Sequence, residues 1–188
     1  MEDALLVLQL QQHDETAFKL LFDRYAKMVY NTALNFLQVQ EDAEEVTQDV
    51  FLEVHHKIDQ FEGKSSIKTW IYRITCNKAL ERIRSAKRKK RFAFFVSVDD
   101  ANLQNTIIDH PGVDEEHKEK MALIQRLLGG LAENQRVAFT LFHMEGLTYQ
   151  EITKVMNISL SSVESLMFRA KSNLKKKLST TNLFEDEK

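Results

Sequence analysis

Apolar residues recur at intervals of three and four along most of the chain, which is the spacing of one face of an α-helix. The longest run follows Asp14, a residue type that favours helix N-caps. Its members are Phe18, Leu21, Phe22, Tyr25, Met28, Val29, Ala33 and Phe36. A short helix over residues 4–10 precedes it, and strand patterns are confined to residues 94–98. The pattern predicts an all-helical protein.

A further helix is predicted over residues 42–58, with an apolar stripe that faces inward. The stripe consists of Ala43, Val46, Val50, Val54 and Ile58. Acidic and polar residues fall on the outer side and form a ridge: Glu45, Gln48, Asp49 and Glu53. Such a ridge is either solvated or a docking surface for a protein partner. His55 and His56 are adjacent, so they point to different sides and are interpreted as structural rather than as metal ligands.

Residues 66–91 form a strongly basic helix. Eleven cationic residues lie between Lys64 and Arg91, against the single acid Glu81. Two apolar stripes indicate that the helix is wedged between two neighbours, leaving Arg73, Asn77 and Arg84 in polar seams. The ordinary interpretation is a solvated face. Trp70 and Tyr72 among the cations favour the alternative, a surface that binds a phosphate backbone and stacks unpaired bases.

A short loop, residues 61–66, leads into the basic helix and contains Gly63, Lys64 and two serines. Ser65 or Ser66 is expected to cap the helix. A loop with hydroxyls and a cation at a helix N-terminus suits a phosphate or a flipped base.

Periodicity is lost over residues 92–118, an acidic and polar stretch that contains Pro111, the only proline. We therefore predict two small helical domains, 1–91 and 119–188, joined by a flexible linker over 92–118. In the second domain a helix over 148–156, a four-residue turn and a longer basic helix match a helix-turn-helix, winged-helix-like but without a wing. Capping boxes are predicted at Thr148 with Glu151 and at Ser161 with Glu164.

Composition excludes several classes of protein. The chain has 188 residues, 43% of them hydrophobic and 29% charged, and no apolar run long enough to span a bilayer. The start lacks a signal-peptide pattern, and a single cysteine, Cys76, excludes internal disulfides and cysteine-rich zinc sites. These features predict a cytoplasmic protein without metal or cofactor. The net charge of −2 conceals segregation, because residues 41–62 carry eight acids against Lys57.

Three functional classes fit a protein with a helix-turn-helix and a separate basic helix. A stand-alone transcription regulator would bind duplex DNA by itself, as a dimer on a twofold operator. A nuclease would need a set of catalytic side chains, and we find none in the sequence. A helical adaptor would explain the acidic ridge but not two basic surfaces.

Three segments in order strongly resemble bacterial RNA polymerase sigma factors. These are DAEEVTQDVFLEVHHKI, FEGKSSIKTWIYRITCNKALERIRSAKRKKR and RVAFTLFHMEGLTYQEITKVMNISLSSVESLMFRAKSNLKKKL. The two-domain layout is similar to the extracytoplasmic-function (ECF) group, which retains sigma domains two and four. The resemblance spans residues 17–178 and implies promoter recognition, strand opening and transcription initiation, with no catalysis.

The resemblance also implies partners and site residues. Core RNA polymerase would bind Asp42, Glu45, Gln48, Asp49 and Glu53. Downstream promoter DNA would be bound and opened by Gly63, Lys64, Ser65, Ser66, Lys68, Thr69, Trp70, Arg73, Asn77 and Arg84. Upstream promoter DNA would be read by Ser161, Ser162, Glu164, Ser165, Phe168, Arg169 and Lys171, and Lys175 near the end of the helix would meet its phosphates. The resemblance also implies an anti-sigma factor, which would hold the protein at the inner membrane. No stable homo-oligomer is expected.

The sequence departs from the family pattern at three positions. Ala132 stands where the family often has Pro, and Glu164 and Leu166 stand where it often has Lys and Arg. Glu164 either accepts a hydrogen bond from a cytosine amino group or is engaged as the cap partner of Ser161.

Overall fold

A computed structural model describes residues 3–96 and 115–180, with side chains over 3–89 and 122–179. The helices are α1 (Asp3–Gln11), α2 (Glu15–Leu37), α3 (Gln40–Lys57), α4 (Ile67–Val96), α5 (Glu115–Gly129), α6 (Glu133–His143), α7 (Tyr149–Met156) and α8 (Leu160–Thr180). A 3-10 turn, Ile58–Gln60, follows α3, and the described residues contain no strand. The fold is all-α, as the periodicity predicts.

The chain divides into two compact units, Met1–Thr106 and Ile107–Lys188. In the first, α2, α3 and α4 pack against one another around a core of aliphatic side chains. Val29, Val50 and Ile71 are fully buried there, and Tyr72 is 2% exposed. Helix α1 packs on α2, and the Gln11 amide donates to the carbonyls of Ile58 and Phe61 at 3.3 and 3.1 Å. Those bonds hold the chain that leads from α3 towards the loop before α4.

Local sequence signals set most helix ends. The Asp14 carboxylate accepts from the backbone amides of Thr16 and Ala17, at 2.7 and 3.2 Å, which confirms the predicted N-cap of α2. The Ser66 hydroxyl accepts from the Thr69 amide at 3.1 Å and caps α4. Thr148 and Glu151 form the predicted capping box of α7.

The second unit packs α6, α7 and α8 together, with α5 against α8. Leu128, Leu131 and Ala170 are buried in one cluster, to which Phe139 and Leu174 add partly buried surface. Helix α7 ends at Asn157, whose left-handed φ of 53° turns the chain within three residues into α8. This is the expected helix-turn-helix.

One predicted cap is wrong. Helix α8 begins at Leu160, and the Ser159 hydroxyl accepts from the Ser162 amide at 3.2 Å, while the Val163 amide bonds the Ser159 carbonyl. Ser159 is therefore the N-cap, and Ser161 lies inside the first turn. The residue three positions after Ser159 is Ser162 rather than a glutamate, so the box proposed between Ser161 and Glu164 does not form.

The helices extend into the stretch expected to be a linker, since α4 continues to Val96 and α5 begins at Glu115. Residues 94–96, where a strand pattern was noted, are helical, while residues 97–98 lie outside the described range. The remainder of the predicted linker, 97–114, also lies outside it. None of the helices within 3–96 and 115–180 combines the length and apolar character needed to cross a bilayer.

Candidate nucleic-acid and protein interfaces

The cations of α4 divide between two sides of the helix. On one side Arg82 donates to Asp42 of α3 through Nε and Nη2, at 2.9 and 2.6 Å, and contacts Glu45 through Nη1 at 2.6 Å. Lys78 reaches Glu53 at 2.8 Å. Hydrogen bonds to Asp42 raise the pKa of Arg82, and the bond to Glu53 raises the pKa of Lys78. These cations are therefore committed to α3.

The other side of α4 carries Arg73, Asn77 and Arg84, all exposed. Their spacing of four and seven residues places them within roughly 40° of one another around the helix. Among the described residues, neither Arg73 nor Arg84 has an ion pair or hydrogen bond. The sequence placed the three in seams between helices, whereas the structure leaves them open to solvent. Arg88 continues the same side one turn beyond Arg84 and was missed as a site residue.

The loop before α4 is exposed except for Phe61 and Ser65, which are half-buried. Gly63 has a φ of 69°, and a side chain there would meet open space, so the backbone conformation is what favours glycine. Lys64 pairs with Glu62, and the Ser66 hydroxyl contacts the Thr69 hydroxyl at 2.8 Å. Lys68 lies over the Tyr72 ring at 5.7 Å, on a different side of α4 from Arg73.

Trp70 is half-buried and packs on Phe61, with ring centroids 5.3 Å apart. The contact joins the start of α4 to the loop, and it leaves part of the indole accessible beside Arg73. The predicted downstream residues therefore fall into a loop and the part of α4 that ends at Arg84. Lys68 is the member that faces elsewhere.

The predicted polymerase-binding residues of α3 also divide. Asp42 and Glu53 are half-buried and paired with cations of α4. Burial raises the pKa of Glu53, but hydrogen bonds from Lys57 and Lys78 outweigh it and leave the pKa below 4.5. Glu45, Gln48 and Asp49 are exposed, although Glu45 contacts Arg82.

Leu52 lies among these exposed residues and is 58% exposed itself. Together Glu45, Gln48, Asp49 and Leu52 occupy positions i, i+3, i+4 and i+7, a single outward stripe on α3 that we term the outer face. Sequence reasoning omitted Leu52. Its signal was present, because position 52 falls off the inward stripe of Val46, Val50 and Val54.

The outward side of α8 carries all eight predicted upstream residues. Phe168 is 76% exposed, and Glu164, Lys171 and Lys175 are exposed. The Arg169 guanidinium folds back on Ser165, donating to its carbonyl and hydroxyl oxygens at 3.2 Å each. The Ser161 and Ser162 hydroxyls lie 3.0 and 2.8 Å from that of Ser159. The surface is thus mixed, with one exposed ring, one free acid and cations towards its end.

Residues 21–89 match the family model described as Sigma-70 region 2, and residues 121–174 match Sigma-70, region 4. The RNA polymerase sigma-H factor of Pseudomonas aeruginosa is 30% identical, with 94% of each chain covered. The ECF RNA polymerase sigma-E factor of Haemophilus influenzae is 28% identical, covering 95% of this chain and 96% of its own. The chain belongs to the ECF group of sigma factors. Its role is therefore that of a sigma factor in transcription initiation.

Solved structures share the fold. CnrH, in complex with the cytosolic domain of CnrY, is similar with a TM-score of 0.70 and 22% identity, covering 95% of this chain and 97% of its own. The sigma factor RpoE of Bartonella quintana, in complex with the anti-sigma factor NepR, gives 0.68 and 20%, covering 86% and 96%. At these identities the likeness concerns the fold alone.

Proposed function

We propose that this sigma factor divides promoter recognition among three surfaces. The outer face of α3 docks on core RNA polymerase, the loop over 63–66 with the exposed side of α4 opens downstream promoter DNA, and α8 reads the upstream duplex. The protein performs no catalysis itself and works in the cytoplasm. The domain limits remain those suggested by the sequence, 1–91 and 119–188.

The observation that carries this proposal is the division of cations on α4. Arg82 and Lys78 are neutralised by α3, whereas Arg73 and Arg84 project from the opposite side without an acidic partner among the described residues. Fixed cations along one side of a rigid helix, next to the partly exposed Trp70, suit a phosphate backbone with unpaired bases. Opening DNA costs a few kcal/mol per extruded base, and captured bases and phosphates offset that cost.

Polymerase docking depends in this proposal on Leu52. Leu52 is an exposed leucine at one end of the polar stripe formed by Glu45, Gln48 and Asp49, and an apolar anchor beside polar residues is typical of a protein interface. Because Asp42 and Glu53 pair with α4, we expect core RNA polymerase to contact only the outer face. The two paired acids would instead stabilise the packing of α3 against α4.

An inhibitory partner is part of the proposal. CnrH is seen in complex with the cytosolic domain of CnrY, and the Bartonella RpoE in complex with the anti-sigma factor NepR. We infer that an anti-sigma factor likewise controls this chain. An anti-sigma factor that is anchored in the inner membrane would hold the sigma factor there until it is released.

The test is run-off transcription with core RNA polymerase and genomic DNA fragments. The full chain should direct initiation at specific sites, and Leu52→Glu should reduce both co-purification with core polymerase and run-off yield. Leu8→Glu is the matched control, because Leu8 on α1 is also 58% exposed and lies outside the outer face. Equal loss in both variants would contradict the docking assignment, and unchanged initiation sites on addition of the wild-type chain would contradict the function.

A further inference from the structure

Glu164 is an unengaged carboxylate on the surface assigned to duplex recognition. It is the fifth residue of α8, and its side chain is exposed. Ser159 rather than Ser161 caps the helix, so the alternative role of Glu164 as a cap partner is removed. Within 122–179, the second-unit residues whose side chains are described, no hydrogen bond or ion pair holds its carboxylate.

The neighbours of Glu164 point the same way as it does. Ser161 and Phe168 stand at i−3 and i+4, on the same side of α8, and both are exposed. Arg169 bonds Ser165 and stands roughly 140° around the helix from Glu164, so it does not neutralise the acid. Phosphates repel a nearby carboxylate, and a hydrogen bond from a donor on a base edge can offset that repulsion. Glu164 would therefore weaken DNA binding unless it contacts a base directly.

We propose that Glu164 reads a cytosine in the upstream promoter element by accepting a hydrogen bond from its N4 amino group in the major groove. The inference rests on the function proposed above and adds a base identity to it. Cytosine presents an amino group beside a C–H edge, so nothing opposes the second carboxylate oxygen. Adenine presents the N7 acceptor beside its amino group, which repels that oxygen. Guanine and thymine offer carbonyl oxygens, which exclude a carboxylate.

The first experiment compares variants of the full chain with core polymerase on a promoter library randomised in the upstream element. The wild-type protein should enrich cytosine at one position, on the order of tenfold over the other bases. Glu164→Gln should move the preference at that position to adenine, since a carboxamide pairs with N6 and N7 together. Glu164→Ala should abolish the preference while raising transcription from scrambled elements, because a repulsive charge has been removed.

Lys175→Ala is the control for the positioning contacts, because Lys175 is exposed towards the end of α8, where phosphate contacts are expected. It should lower transcription from all library members alike and leave the cytosine preference unchanged, because a phosphate contact carries no base information. Glu164 is solvent-exposed and outside the core of the unit, so its variants are expected to fold.

A second experiment removes the donor atom itself. N4-methylcytosine keeps its base pair but presents a methyl group instead of an N–H in the major groove. Placed at the selected position, it should reduce wild-type transcription about as much as a base change, and it should not affect Glu164→Ala. Enrichment of adenine by the wild-type protein, or a cytosine preference that survives in Glu164→Ala, would overturn the proposal. Failure of the sigma function is distinguishable, because no library member would then be transcribed.

Discussion

The carboxylate of Glu53 joins two helices through its two oxygens. Oε1 accepts from Lys57 of α3 at 2.7 Å, and Oε2 pairs with Lys78 of α4 at 2.8 Å. Its side chain is 23% exposed, so the pairs are less screened than those of a fully solvated surface. Glu53 thus stabilises the contact between α3 and α4 through charge as well as packing.

The stabilisation by Glu53 should depend on pH. Its pKa in the folded protein lies below 4.5, so its contribution is present above that pH and is lost as the pH falls through the folded-state value. We expect Glu53→Gln to lower the free energy of unfolding at neutral pH by up to about 1 kcal/mol and to have a smaller effect at an acidic pH below the folded-state pKa. Urea denaturation at both pH values measures this. Asp49→Asn controls for loss of an exposed acid on α3, and an equal pH response in both variants would exclude the paired role of Glu53.

The cap of α8 gives a second prediction about single residues. Ser159→Ala removes the hydroxyl that accepts from the Ser162 amide and should cost about 1 kcal/mol of unfolding free energy. Ser161→Ala, two residues away and already within the helix, should cost distinctly less. Thermal or urea unfolding of the full chain compares them. A larger loss of unfolding free energy in Ser161→Ala than in Ser159→Ala would contradict the cap assigned to Ser159 and favour a capping box between Ser161 and Glu164.

Among the elements, the bounds and caps of α2 and α7 could be predicted from sequence almost completely, because these signals are local. One member of the predicted α2 stripe, Phe22, is nevertheless 43% exposed rather than buried. The cap of α8 could not, since Ser159, Ser161 and Ser162 all precede the apolar stripe and a glutamate follows Ser161 at the box spacing. The helical character of α4 could also be predicted from sequence. The sequence does not show which of its cations are paired, because Asp42 and Arg82 are 40 residues apart and only tertiary packing brings them together. For the same reason the partial burial of Glu53 against α4 could not be predicted, whereas the exposure of Leu52 could have been, because position 52 lies off the inward stripe.

The two sides of α4 should respond differently to the same substitution. Arg82→Ala breaks the contacts with Asp42 and Glu45, so it should lower stability by up to about 1 kcal/mol and leave the salt dependence of DNA binding unchanged. Arg73→Ala should leave stability unchanged and reduce the slope of log affinity against log salt by about one unit, as one phosphate contact is lost. Urea unfolding and salt titrations of polymerase–promoter complexes measure the two effects. Identical behaviour of both variants would contradict the division of the helix.

At the scale of the whole molecule, the proposed function requires the two units to meet different forms of DNA. The first presents a cationic side of α4 and a half-buried indole, which suit separated strands. The second presents a helix-turn-helix, whose final helix reads paired bases in the major groove. The loss of transcription caused by a substitution in α4 should therefore depend on whether the template is already open. The loss caused by a substitution in α8 should not.

A template with a mismatched bubble in the downstream element tests this separation. Arg73→Ala should transcribe poorly from the duplex promoter but recover most of its yield on the bubble, because unpairing no longer has to be offset. Arg169→Ala should be equally impaired on both templates, since the upstream duplex is the same, and should match the wild-type protein once the upstream element is scrambled. Run-off yields with core polymerase, each divided by the wild-type yield on the same template, measure these effects. Recovery of Arg169→Ala on the bubble would mean that α8 also contributes to strand opening, and it would remove the division of work between the units.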